Sequence, residues 1–194
     1  MLGTGKNRAM TTIVARPPTT LADLLPQHRL RDAALVVGFA LFTAAAAQFE
    51  IVLGFTPVPI SGQTLAVLLA GGALGAGRGA ASQFLYVALG AIGLPFYSGG
   101  EGGWSVTTGA TAGYFVGFIV AAGLVGWMSE QGQDRRVVTA IPAFLAGSIV
   151  IYAFGASWLA HSLDVPFAAA AGETSALSLG VTPFLVGDVF KAVI

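Results

Sequence analysis

The chain has 194 residues, of which 55% are hydrophobic and only 9% charged, and its mean hydropathy is +0.80. A soluble domain carries about a quarter charged residues, so a soluble globule is excluded, and hydrophobicity this high also excludes disorder. A net charge of zero leaves no basic surface for nucleic acid. The lack of Cys and the presence of only two His argue against disulfides and a metal site. We therefore predict a small all-α integral membrane protein.

The apolar residues fall into six spans behind a polar segment. Residues 1–31 contain five cations and three prolines and are predicted to form an N-terminal arm, followed by a membrane domain over residues 32–194. About 20 apolar residues cross the hydrocarbon core, which places the spans at about 32–53, 63–76, 80–94, 110–128, 137–159 and 179–194. The second and third spans are short, as is typical where a cavity interrupts helices. The sixth has no polar end, so we expect it to be truncated at the C-terminus.

The distribution of cations predicts the orientation of the six spans. Lys and Arg prefer cytoplasmic loops. With the N-terminus inside, the three inner segments contain eight of the nine cations and the three outer loops contain none. We therefore expect both termini to be cytoplasmic. The eight inner cations are Lys6, Arg8, Arg16, Arg29, Arg31, Arg78, Arg135 and Arg136.

Two charged residues lie inside the sixth span. Asp188 and Lys191 are three residues apart, which puts them on one face of a helix. A charge at membrane depth costs at least about 2.5–3.5 kcal/mol, so it needs a partner or a wet cavity. A salt bridge within the helix is one interpretation. The other is a ligand site open to the outside, in which the Lys191 ammonium holds a carboxylate and Asp188 accepts N–H donors.

The connection over residues 95–109 would form the outer wall of that site. It is rich in glycine, which lets backbone approach a ligand closely, and Tyr97 and Trp104 could supply flat walls. A mobile surface loop is the alternative. We expect Glu101, in the same connection, to be solvated.

Two polar residues at the ends of spans could face the same cavity. Tyr114 lies near the start of the fourth span, where an interfacial tyrosine is an equally good interpretation. Gln63 begins the second span, where Ser61, Gln63 and Thr64 could simply cap the helix. A buried Gln63 would instead face a cavity.

The first span contains a small-residue pair, and the chain has no ATP-binding motif. Ala40 and Ala44 are four residues apart, a spacing that lets helices pack closely in lipid, either within the protein or against another subunit. The glycine-rich segment 99–103 is not followed by Gly-Lys-Ser/Thr, so it is not a phosphate loop.

Three segments together resemble the biotin-specific substrate-binding components (S components, BioY) of energy-coupling-factor transporters. They are PVPISGQTLAVLLAGGALGAGRGAASQFLYVALGAIGLPFYSGG (57–100), TGATAGYFVGFIVAAGLVG (108–126) and TPFLVGDVFKAVI (182–194). The family's Gly-Asp-x-x-Lys ending matches Gly187, Asp188 and Lys191, whereas Ala110 and Ala112 depart from its usual GPTGGY.

The resemblance implies that the chain is one subunit of a transporter in the cell membrane of a prokaryote. Members of the family have six helices and a biotin site that opens outward. They work with a transmembrane T component and two ATPase subunits, so only the partners would use ATP, and the chain itself needs no cofactor. The family's helix-1 contact with the T component corresponds here to Ala40 and Ala44, and its biotin contacts to Asp188 and Lys191.

Two other functions are compatible with the residues alone. A stand-alone carrier, or an S component for another carboxylate-bearing vitamin, would use the same Lys191. An integral membrane enzyme is disfavoured, because the chain shows no catalytic constellation and His28 and His161 lie in the arm and at a loop edge.

Overall fold

The described part of the chain folds into a bundle of helices. The computed structural model describes residue 20 and residues 29–132, 137–170 and 173–185, with the side chains of 137–139 outside the description. The helices and strands in chain order are α1 (Arg29–Ala47), β1 (Glu50–Ile51), β2 (Ile60–Ser61), α2 (Gln63–Leu74), α3 (Ala76–Ala91), α4 (Trp104–Thr107), α5 (Ala112–Glu130), α6 (Val137–Leu163) and α7 (Ala176–Gly180).

The mostly helical fold agrees with the predicted class. Among the described residues, three helices are long and apolar enough to cross a membrane: Arg29–Ala47, Ala112–Glu130 and Ala140–Leu163. The apolar helices Gln63–Leu74 and Ala176–Leu185 are shorter. Helix α2 has 12 residues and is therefore roughly 18 Å long. This length is shorter than the hydrocarbon core of a membrane, which is about 30 Å thick. Six spans, and the cytoplasmic placement of both termini, therefore remain predictions.

The first predicted span ends earlier than its hydropathy indicates. Helix α1 stops at Ala47, and Glu50–Ile51 pairs antiparallel with Ile60–Ser61. Pro57 and Pro59 lie between the two strands and cannot continue a helix. The resulting hairpin, which we did not predict, defines what we call the hairpin end of the bundle.

The opposite end of the bundle is held by polar contacts. Arg78 pairs with Asp32 at 3.2 Å and donates through Nε to the Leu74 carbonyl at 2.8 Å. The Glu130 carboxylate accepts the Ala76 backbone N–H at 2.9 Å, which caps the start of α3. The predicted arm, residues 1–31, lies largely outside the described residues, although its last three residues already belong to α1.

The small-residue pair of α1 faces the interior of the chain. Ala40 and Ala44 are 0% and 7% exposed, and Thr43 between them bonds Gln83 of α3. The pair therefore packs within the protein here and presents almost no surface to another subunit, contrary to the expectation of a partner contact. The opposite face of α1 is the exposed one, and nothing lies within 4 Å of a Cβ placed at Gly38.

Candidate functional site

A cavity lies at the hairpin end, between the hairpin, the connection that follows α3, and helices α5, α6 and α7. Its volume of about 290 Å³ is near the lower limit of small-molecule pockets, about 300–1,000 Å³. Exposed lining residues such as Val52 and Glu101 bring it to the protein surface. The lining side chains and backbone belong to Glu50, Val52, Thr56, Pro57, Val58, Pro59, Ser61, Gln63, Thr64, Tyr97, Ser98, Gly99, Glu101, Val106, Thr111, Tyr114, Phe115, Phe118, Tyr152 and Phe184.

Gln63 is buried and holds three parts of the cavity wall together. Its Oε1 accepts hydrogen bonds from the hydroxyls of Ser61 at 2.8 Å and Ser98 at 3.3 Å. Its Nε2 donates to the Tyr86 hydroxyl on α3. The Ser61 hydroxyl also accepts the Gln63 backbone N–H, although the N-cap residue of α2 is Gly62, which has no side chain to cap the helix.

Tyr97 anchors the connection between α3 and α5. Its ring is 2% exposed and stacks on Phe115 with a centroid distance of 4.4 Å. Its hydroxyl donates to the Val87 carbonyl at 2.8 Å and lies 2.9 Å from the Thr107 hydroxyl. Burial raises the pKa of this hydroxyl above its ordinary value, so it stays a neutral donor at physiological pH. Tyr97 therefore packs the connection against the bundle, where the connection forms one wall of the cavity.

Tyr114 is buried at the start of α5 and faces the cavity. Its hydroxyl donates to the Gly180 carbonyl of α7 at 2.7 Å. The ring fits because Gly155 on α6 has no side chain, and a Cβ there would overlap it. Tyr114 therefore forms part of the cavity wall.

The remaining predicted ligand residues lie elsewhere. Trp104 is 71% exposed and does not line the cavity. Asp188 and Lys191 lie outside the described residues. Gln63, Tyr97 and Tyr114 thus line the same cavity, whereas Trp104 lies outside its lining.

Two carboxylates lie at the cavity: Glu50, which the sequence analysis missed, and Glu101, which was expected to be solvated and is exposed in the structure. Both residues line the cavity. Gly99, with φ +70°, lies between them, and a Cβ there would be 3.1 Å from Glu50 Oε1 and 4.0 Å from Glu101 Cγ. The cost of a charge in an apolar span, which singled out Asp188, applies equally to Glu50. Among the described lining residues there is no Lys or Arg.

Comparison with known proteins is consistent with this architecture. The sequence model of the BioY family matches residues 17–194. "Biotin transporter BioY" of Rhizobium etli is 41% identical over 172 residues, covering 84% of this chain and 88% of that protein. Its counterpart in Rhodobacter capsulatus is 39% identical over 159 residues, covering 76% and 84%.

A solved structure has the same fold. The crystal structure of an S-component for biotin from an ECF-type ABC transporter superposes with a TM-score of 0.75 at 27% identity, covering 87% of this chain and 89% of that one. With three apolar helices as well, the chain is an integral membrane protein. Because the family match spans nearly the whole sequence and the relatives are this similar over most of their length, the chain belongs to the BioY family.

Proposed function

We propose that this chain captures biotin and supports its uptake as the S component of an energy-coupling-factor transporter, and that it is not an enzyme. The observation that carries the proposal is the cavity at the hairpin end, in a chain 41% identical to a biotin transporter over 84% of its length. The cavity combines aromatic rings with a few fixed polar groups, as small-molecule sites do. A compact bicyclic ligand with an apolar tail suits this lining.

The ligand contacts proposed from the sequence divide into two groups. Gln63 and Tyr114 would contact biotin through the amide and the ring that face the cavity. Lys191 would hold the carboxylate and Asp188 the ureido N–H groups, as the family resemblance implies. Trp104 would contribute only if its exposed indole moved onto the cavity when ligand binds.

The orientation in the membrane is also part of the proposal. We propose that the chain spans the plasma membrane of a prokaryote six times, with both termini in the cytoplasm. Arg31 and Arg78 support this, because both surround Asp32 at the end of the bundle opposite the cavity. The positive-inside rule would place that end in the cytoplasm and the cavity outside.

The partners follow from the proposed role. A transmembrane T component and two ATPase subunits would provide the energy, and ATP would be used by these partners only. The contact with the T component would use the exposed face of α1, which includes Val37 and Leu41, because Ala40 and Ala44 are buried within the chain.

Calorimetric titration of the purified chain tests the function. We expect biotin to bind, and riboflavin and thiamine not to bind. Lys191→Ala should lose most of the biotin affinity, because an ammonium–carboxylate contact in a dry site contributes about 1.5–3 kcal/mol, or roughly 10- to 150-fold. No biotin binding by the folded wild type would refute the function, and full affinity in Lys191→Ala would refute that contact alone.

A further inference from the structure

Two segments at the hairpin end, the hairpin and the connection between α3 and α5, expose apolar side chains. Large side chains there are between 62% and 78% exposed: Phe49, Ile51 and Phe55 in and beside the hairpin, and Ile92 and Trp104 in the connection. The two segments adjoin, because Gln48 donates through Nε2 to the Tyr97 carbonyl at 3.2 Å. Exposed apolar surface of this size marks a contact with protein or membrane.

The charged groups of the same two segments lie at the cavity instead. Residues 48–62 and 92–109 contain no Lys or Arg, and their acidic residues are Glu50 and Glu101. Both of these line the cavity. Glu50 is half-buried while its neighbours Phe49 and Ile51 are exposed, as the alternation of a strand predicts. Polar groups inside and apolar groups outside is the polarity of a surface that faces lipid.

The helices that lead to these segments are too short to carry them clear of a membrane. Helices α2 and α3 have 12 and 16 residues, so they are roughly 18 and 24 Å long. They meet at the end opposite the hairpin, beside the ion pair of Arg78 and Asp32. A hydrocarbon core is about 30 Å thick. With that ion pair at one face of the core, the hairpin end reaches no farther than the other face.

The backbone of these segments limits how deep they can lie. Irregular backbone exposed to lipid does not occur in the hydrocarbon core, because its N–H and C=O groups would lack partners. The hairpin has only two paired residues in each strand, and most of the connection is irregular. The headgroup layer, about 5–7 Å thick on each side of the core, supplies polar partners and still lets side chains reach the acyl chains.

We propose that the hairpin and the connection between α3 and α5 lie in the headgroup layer of one leaflet, with Phe49, Phe55 and Ile92 in contact with lipid acyl chains. The cavity, which both segments line, then opens at the headgroup layer and not above it. In the proposed orientation this is the outer leaflet. The placement depends neither on the identity of the ligand nor on a partner subunit.

Single nitroxide labels test this depth, because the chain contains no Cys. Phe55→Cys and Ile92→Cys are labelled, and each chain is reconstituted alone into phosphatidylcholine liposomes. Power saturation of the electron paramagnetic resonance signal compares collisions with oxygen, which concentrates in lipid, and with a water-soluble nickel chelate. We expect the oxygen-to-nickel ratio of both labels to be several-fold higher than that of a label in water. Neither residue lines the cavity, so the labels stay outside the ligand site.

Two control positions define the scale. Glu173→Cys is the control in water at the same end, since Glu173 is exposed in the connection that follows α6. Helix α6 has 27 residues, roughly 40 Å, and therefore extends beyond the core. Ile149→Cys, at an exposed position in the middle of α6, is the control in the hydrocarbon core. Circular dichroism checks that each labelled chain is folded.

Three results would overturn the inference. A ratio at Phe55→Cys or Ile92→Cys as low as at Glu173→Cys would place that segment in water. A ratio as high as at Ile149→Cys would place it in the hydrocarbon core. Few collisions with either reagent would mean that protein, such as a second copy of the chain, covers the surface. A wild-type chain that binds no biotin would refute the proposed function and leave the measured depth unaffected.

Discussion

Replacement of Tyr97 tests whether the connection between α3 and α5 is a fixed wall of the cavity. The ring is 2% exposed, stacks on Phe115 and meets Tyr86 edge-on at 5.8 Å. Removal of a buried aromatic side chain costs about 3–5 kcal/mol, so Tyr97→Ala should be strongly destabilised. Tyr97→Phe loses only the hydroxyl's bonds to Val87 and Thr107, which is worth about 0.5–1.5 kcal/mol.

Thermal unfolding of the purified protein in detergent, followed by circular dichroism, measures the order of stability. We expect wild type to be the most stable, Tyr97→Phe slightly less and Tyr97→Ala the least. Trp104→Ala is the control in the same connection, because its side chain is 71% exposed and such a change costs at most about 0.5 kcal/mol. Biotin affinity should also fall in Tyr97→Ala, since Ser98 and Gly99 of the wall follow Tyr97 directly.

Two results would refute this reasoning. One is a Tyr97→Ala protein that unfolds at the wild-type temperature, which would mean that the buried ring contributes nothing. The other is a Trp104→Ala protein destabilised as much as Tyr97→Ala, which would mean that any large side chain in the connection has the same effect.

Further predictions concern the space beside Tyr114 and the charge at the cavity. Gly155→Ala should destabilise the protein by about 1–3 kcal/mol through overpacking and weaken biotin binding, because the added Cβ would displace the Tyr114 ring. Gly72→Ala, where nothing lies within 4 Å of the added Cβ, should instead stabilise α2 by about 0.5–1 kcal/mol; unfolding in detergent compares the two, and equal effects would contradict the packing argument. Glu101→Gln removes a negative charge at the cavity, so anionic biotin should associate faster with this variant than with wild type in stopped-flow binding. This gain should be larger at low salt than at high salt, because salt screens the repulsion between the two negative charges. Biotinamide is the control, and an equal gain for this neutral ligand would exclude an electrostatic cause.

Hydropathy was sufficient to predict most of the helices. Helix α2 begins at Gln63 and α6 at Val137, as the apolar runs indicate, and α5 begins two residues after its predicted start. These boundaries are local properties, set by apolar runs and the Gly, Pro and polar residues beside them. Gln63 and Tyr114 could be nominated as cavity residues for a similar reason, since each is a polar group at the end of an apolar span.

The tertiary structure decided which surfaces these residues face. An alanine pair in an alanine-rich helix has no preferred partner in the sequence, and only the packing of α1 on α3 shows that Ala40 and Ala44 are buried. The wall formed by Tyr97 and the exposure of Trp104, seven residues later, are likewise indistinguishable by composition. The bond from Thr56 to Leu179 joins residues 123 positions apart. No local pattern encodes such a contact, because it depends on how the helices pack, and hydropathy reports only whether each residue prefers to leave water.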